Sequence, residues 1–196
     1  MPLTMPTTKP TQTEWSIVSN ARQFVSPLTG AIQTIQRTGN RWSVTLTYEN
    51  LFDSERAVMQ GFLSQLTATA NNFFLEDHSY TRRADGTGTP LVNGASQTGN
   101  QIITDGWSSG SYAMLIGDFF EVNGELKMAV ADSTISAGAA TIDFVPELRA
   151  SPSDNAAITV TNPKGKFRLT NPVTTWSNES PSISTFTIQC VEDVIA

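Results

Sequence analysis

Residues 37–75, RTGNRWSVTLTYENLFDSERAVMQGFLSQLTATANNFFL, switch hydrophobic period, and that switch limits the possible folds more than any other stretch. Between 41 and 48, Trp42, Val44, Leu46 and Tyr48 alternate with Arg41, Ser43, Thr45 and Thr47. A period of two built from β-branched and aromatic residues specifies a strand with one buried face. Thr38-Gly39-Asn40 tolerates positive φ, which predicts that residues 32–37 pair with this strand as a hairpin. The period then lengthens. Val58, Phe62, Leu66 and Ala70 form an apolar stripe, widened by Met59 and Leu63, with Asp53 or Ser54 as cap, so a helix is predicted over about 54–70. Glu55, Arg56, Gln60, Ser64 and Gln65 are left for solvent. Asn71-Asn72 ends the helix and 73–75 returns as a strand. An amphipathic helix beside a sheet with one apolar face is expected to cover that face.

A chain of 196 residues can form one large domain or two small ones. At this size roughly 70% of the unfolded surface is buried, so a core needs no covalent staple. The lone Cys190 excludes an intramolecular disulfide and a thiolate metal cluster. Residues 1–12 lack an apolar leader and no run approaches membrane-spanning length, which predicts a soluble protein without a secretion signal. The net charge of −6, from 12 Lys and Arg against 18 Asp and Glu, argues against phosphate-backbone binding as a primary function. An acidic surface repels nucleic acid, which suits a wall past which DNA must move. Only 15% of residues are charged while Thr, Ser, Asn and Gln abound, a composition that favours a mainly β protein burying surface in an assembly.

Residues 1–13 carry three prolines and read as an extended arm, followed by a short strand over 15–18. Residues 24–30 read as a loop because Pro27 and Gly30 interrupt a ladder. Residues 78–99, with Gly86, Gly88, Asn93, Gly94 and Gly99, read as a junction, and Gly86-Thr87-Gly88 within it as a flexible linker. Short strands follow over 101–104, 113–116, 119–122, 126–130, 140–145 and 157–160, with Asn123-Gly124 as a hairpin turn. So many short strands without a covering helix suit a small closed or half-closed barrel. After Gly165 the alternation lengthens: Phe167 and Leu169 share a face, Trp176 follows Pro172, and Phe186, Ile188 and Cys190 share another. The predicted fold is a β-sandwich with one flanking helix, made from residues 1–80 and 164–196 and interrupted by a small barrel over 81–163.

Chemistry is sparse. His78 beside Glu76 and Asp77 lacks the further nitrogen or sulfur ligands of a metal site and reads as a junction histidine. The pairs Asp118 with Glu121 and Glu192 with Asp193 could serve acid–base work only at a separation that sequence does not give, and read as turn and strand-edge acids. No nucleophile elbow, phosphate loop or dinucleotide fingerprint occurs. Cys190 alternates with apolar residues and reads as a packing cysteine. Arg82-Arg83 reads as a solvated junction or an interface anchor. Trp107 and Tyr112 flank Ser108-Ser109-Gly110-Ser111; as exposed aromatics they would stack on a sugar ring, and otherwise one or both cap the barrel core. No catalytic, metal or cofactor residue is assigned, and a non-enzymatic role is expected.

Several runs carry a resemblance: F-V-S-P-L-T-G-A-I-Q-T-I-Q-R-T-G-N-R-W over 24–42, E-R-A-V-M-Q-G-F-L-S-Q-L-T-A-T-A-N-N-F-F-L-E-D-H-S over 55–79, G-T-P-L-V-N-G-A-S-Q-T-G-N over 88–100, I-G-D-F-F-E-V-N-G-E-L over 116–126 and V-P-E-L-R-A-S-P over 145–152. Together they resemble the distal tail proteins of siphophages, in the compact form with one inserted barrel. The resemblance spans the chain but rests on sequence habits, with no catalytic or binding motif. It implies a homohexameric ring at the virion tail tip, joining the tail tube to the hub and surrounding the DNA channel. It also implies an oligonucleotide/oligosaccharide-binding (OB)-like barrel attached to the ring domain. The implied partners are the tail tube, tape measure and hub or tip proteins, with synthesis in the bacterial cytoplasm and no cofactor, specific nucleic-acid recognition or membrane insertion. A carbohydrate-binding adaptor acting through the barrel is the alternative. Under the ring reading the face bearing Arg41, Ser43, Thr45 and Thr47 is expected to meet a neighbouring subunit or the lumen.

Overall fold

The computed structural model describes residues 3–35, 37–66, 71–171, 175–179 and 183–193. Gln36, Ala70 and Pro172, which figure in the sequence reading, lie outside them. The fold is mainly β, with one helix among the described residues.

The first part of the chain forms β1 (Leu3–Thr4), β2 (Gln12–Val18), β3 (Arg22–Val25), β4 (Ile32–Ile35), β5 (Arg41–Leu51), α1 (Asp53–Gln65) and β6 (Phe73–Leu75). The middle forms β7 (Thr87–Val92), β8 (Gly99–Ser109), β9 (Tyr112–Met114), β10 (Phe119–Val122), β11 (Glu125–Ala129), β12 (Ser133–Thr134), β13 (Ala140–Leu148) and β14 (Ile158–Thr159). The last part forms β15 (Gly165–Leu169), β16 (Trp176–Glu179) and β17 (Ile183–Glu192). A seven-stranded sheet runs β1-β6-β15-β17-β5-β2, with β16 also on β17, so both ends of the chain build it. A six-stranded sheet runs β14-β10-β11-β13-β8-β7. A bridge from Leu91 to Ala157 brings its two ends together, leaving a nearly closed, barrel-like sheet.

The alternation in β5 is realised as read. Trp42, Val44, Leu46 and Tyr48 are buried, and β17 adds Phe186, Ile188 and Cys190 to the same face. Phe167, Leu169, Phe73 and Leu75 extend this apolar face across β15 and β6. From α1 it is covered by Met59, Phe62 and Leu63, with Leu66 at the helix end, and from the second sheet by Phe119 and Leu126. A second cluster, including Val92, Ile102, Phe120, Val122, Ile142 and Phe144, fills the barrel.

Several local expectations are corrected. Strand β4 pairs with β3, while β5 lies between β2 and β17. Ile32 and Ile35 are three apart and face opposite sides of a strand, so β4 has no single apolar face to add beside β5. Residues 22–25 are therefore strand, and only the stretch from Ser26 to Ala31 turns, closed by Ser26 N–H donating to Ala31 O at 2.9 Å. Helix α1 starts after Phe52 without a side-chain cap; Asp53 instead pairs with Arg56 at 2.9 Å. Val58 is 56% exposed, because the buried stripe is centred one residue later, on Met59. The arm is partly structured: β1 pairs in parallel with β6, Met5 is buried, and Gln12 and Thr13 belong to β2.

Gly86-Thr87-Gly88 leads into β7 and is not a linker. A Cβ on Gly86 would sit 2.6 Å from the Tyr112 carbonyl, so glycine is required there by close backbone approach. Asn123 and Gly124, at φ of 55° and 80°, make the expected tight turn between β10 and β11.

Candidate functional site

The residues singled out by sequence do not converge. Trp107 is 4% exposed, with its indole Nε1–H donating to Thr104 Oγ1 at 2.8 Å and the Arg82 guanidinium 5.8 Å from its ring. Of the two readings, exposed on a polar loop or capping the barrel core, Trp107 takes the second, for a local reason. Gly106, at φ of 77°, interrupts the alternation of β8, so Trp107 turns inward with Ile102 and Thr104. Tyr112 on β9 remains 38% exposed. Its backbone N–H donates to Asp85, whose carboxyl is held below the usual range by the N–H groups of Tyr112 and Ser111.

His78, Glu76 and Asp77 line a space of about 280 Å³ with Lys9, Tyr80 and Phe119. Among the described residues no group of three His, Cys, Asp or Glu is arranged to hold a metal ion. Arg82 donates to the carbonyls of Gly86 and Ala113 at 2.7 and 2.9 Å, so it braces the barrel wall. Burial pushes the Cys190 thiol up, and its Sγ lies 3.5 Å from Val44 O. The carboxylates read as pairs work separately. Asp118 is fully buried and accepts three backbone N–H bonds, while Glu121 accepts from Gly124 in the β10–β11 turn. Glu192 accepts from Trp42 N–H at 3.3 Å, and Asp193 binds Arg168 and Asn72.

Two surfaces stand out. The first is the β3–β4 hairpin, which joins neither sheet and is exposed along both strands. Phe24, Val25, Leu28, Ile32 and Ile35 are 55%, 61%, 94%, 65% and 42% exposed. A two-stranded hairpin is marginal in water on its own, and these side chains give it no core. It follows directly on β2, whose outer edge pairs with no strand among the described residues and whose end exposes Ile17 and Val18.

The second is the face of the seven-stranded sheet opposite the core. The register aligns Gln12–Thr47–Thr187, Glu14–Thr45–Gln189 and Ser16–Ser43–Val191 across β2, β5 and β17. These rows are rich in hydroxyls and amides, with Glu14 as their one charge, and Arg41 on β5 and Arg168 on β15 flank the last of them on the same face.

Between the sheets lies a polar junction that sequence gave no means of assembling. The Glu147 carboxylate accepts from the backbone N–H groups of Gly39 and Asn40, and from Asn40 Nδ2 at 3.0 Å. Arg149 donates to Asn40 O and sits 3.3 Å from Glu192. Lys127, fully buried, pairs with Glu125 at 2.6 Å and donates to Glu147 O at 2.9 Å. Burial pushes the Glu147 carboxyl up, but its own N–H, those of Gly39 and Asn40 and the Asn40 amide outweigh this and hold it below the usual range. Burial raises Glu192 despite the opposing pull of Lys127 and Arg149.

The signs of these shifts predict different pH dependences. A lowered carboxyl contributes stability that is present above its ordinary range and lost as pH falls through the lowered value. A raised one disfavours the fold at neutral pH, and that penalty is relieved as pH falls through the raised value. The stability difference between wild type and Glu147→Gln is therefore expected to shrink as urea midpoints are taken from neutral pH into the acid range. A difference that stays constant with pH would rule out the ionised Glu147 as its source.

Among the described residues no helix is long and apolar enough to cross a membrane. No protein-family model matches the chain, and no curated protein matches it.

Proposed function

We propose that this chain is a structural, non-enzymatic ring component of the tail tip of a long-tailed bacteriophage, in the manner of a distal tail protein. Copies assemble as a homohexamer joining the tail tube to the hub, next to the tape measure protein, with the second sheet attached as an OB-like barrel. The observation that carries this reading is the β3–β4 hairpin, an apolar arm that joins neither sheet and neither core among the described residues. A neighbouring copy gives such an arm cover, and an arm that meets a different surface on the next copy makes a head-to-tail contact, which gives a ring when the rotation per copy closes and a filament when it does not. The sequence resemblance points the same way. The alternative, a carbohydrate-binding adaptor, loses one of its two aromatics to the barrel core and keeps only Tyr112 at the surface.

Light scattering and electron microscopy of the purified chain are expected to show closed six-membered rings. Phe24→Glu combined with Leu28→Glu and Ile32→Glu should leave a folded monomer, because charges replace the apolar contacts without entering either core. A wild-type chain that stays monomeric at high concentration overturns the proposal, as does a triple variant that still forms rings.

A further inference from the structure

We propose that the turn at residues 38–40 is the bolt of a directional lock that fixes the attitude of the barrel-like sheet against the seven-stranded sheet. Two chain segments connect the sheets, one before β7 and one between β14 and β15. Relative motion is the default for units joined this way unless their interface resists it. Two different kinds of contact meet at this interface. One is aromatic: Phe119 from the second sheet packs with Trp15, Trp42 and Tyr80, at centroid separations of 5.9, 5.8 and 5.3 Å. Such contacts are strong in sum but tolerate sliding, since dispersion depends on closeness more than direction.

The other kind is directional. Glu147, near the end of β13, presents its carboxylate to three N–H donors from the 38–40 turn. Arg149, two residues on, takes the turn's Asn40 carbonyl and also reaches Glu192 on β17. Donors and acceptors of one turn are thus gripped by two adjacent side chains of opposite charge, and both sets of bonds hold in one relative orientation of the sheets. Charge-assisted bonds of this type are short, angle-dependent and costly to break when part-buried. Lys127 bonds the Glu147 carbonyl and so braces the gripping segment from behind. The aromatic cluster holds the sheets together, and the clamp, alongside the single bonds from Trp42 Nε1–H to Leu126 O and from Lys166 N–H to Gly124 O, sets their angle. The barrel is therefore a fixed projection and not a swinging arm, whatever the oligomeric state.

Spin labels at Glu14→Cys on β2 and Thr141→Cys on β13 report this angle, because both sites are exposed while the native Cys190 is buried and does not react. Dilution with unlabelled chain removes distances between copies. The wild-type background is expected to give one narrow distance distribution. Glu147→Gln with Arg149→Gln is expected to lose it for a broad one, while circular dichroism retains the strand signal. Asn40→Ala, which removes the Nδ2 donor to Glu147 and the Oδ1 acceptor of Asn20 N–H but leaves both backbone donors, should broaden the distribution less, and it decides the matter should the double variant fail to fold. A broad distribution in the wild type, or a narrow one in the variants, overturns the lock.

Discussion

Replacing Asp118 by alanine is expected to destabilise the chain by on the order of 3–6 kcal/mol, a large part of the stability of a domain this size. The side chain is fully buried just ahead of β10, beyond the bend that Gly117 makes at φ of 86°. One oxygen accepts from Arg83 N–H at 3.1 Å; the other accepts from Ala84 and Leu115 N–H at 3.1 and 3.0 Å. Two of those donors belong to the segment entering the barrel and the third to the turn before β10, so one carboxylate ties the entry segment to the wall. Alanine leaves three donors without an acceptor, at about 1–3 kcal/mol each where water does not reach. Asp118→Asn keeps one acceptor oxygen and sets an amide N–H₂ against N–H groups, so it should recover only part of the loss. Urea unfolding by circular dichroism measures both variants. A loss below about 1 kcal/mol for Asp118→Ala would mean that water replaces the carboxylate at little cost.

Asp118 also marks where sequence stops being legible. The stretch Gly117-Asp118 reads correctly as a turn, but nothing in it tells that the carboxylate turns inward to residues 83 and 84. Features set by neighbouring residues are readable: the parity of β5, a helical stripe through Phe62 and Leu66 flanked by Met59 and Leu63, though not its centring away from Val58, and the positive-φ pair Asn123-Gly124. Where two local rules competed, the reading failed. Thr38-Gly39-Asn40 has the residues of a hairpin turn, yet Glu147, more than a hundred positions away, claims its N–H groups and the strands diverge. Nothing short-range marks Gly106 as the residue whose positive φ reverses the side on which Trp107 falls. The class of the fold, mainly β with one helix and a barrel-like second sheet, follows from short-range pattern. The hairpin and the junction follow from which surfaces the rest of the chain leaves uncovered or brings together, and period carries no record of that.

Trp42→Ala is expected to cost roughly 3–5 kcal/mol, through lost burial and the cavity left behind. The residue is 3% exposed in the middle of the junction. Its ring meets Trp15 edge-on at 5.7 Å and Phe119 at 5.8 Å, and its Nε1–H donates to Leu126 O across the sheets at 2.9 Å. Its backbone N–H is held by Glu192, so the side chain alone is changed by substitution. Trp42→Phe separates the two contributions. Phenylalanine keeps most of the aromatic volume, loses the bond and leaves the Leu126 carbonyl unpaired, which should cost about 1–3 kcal/mol. Alanine loses both. If chemical denaturation finds the two variants equally damaging, the single hydrogen bond carries the contact and the aromatic cluster contributes little. If phenylalanine is nearly neutral, packing alone joins the sheets at this point. The geometry calls for the result between these limits, with alanine the worse by the packing that Trp15 and Phe119 lose, because those rings have no other partner of comparable size from β5.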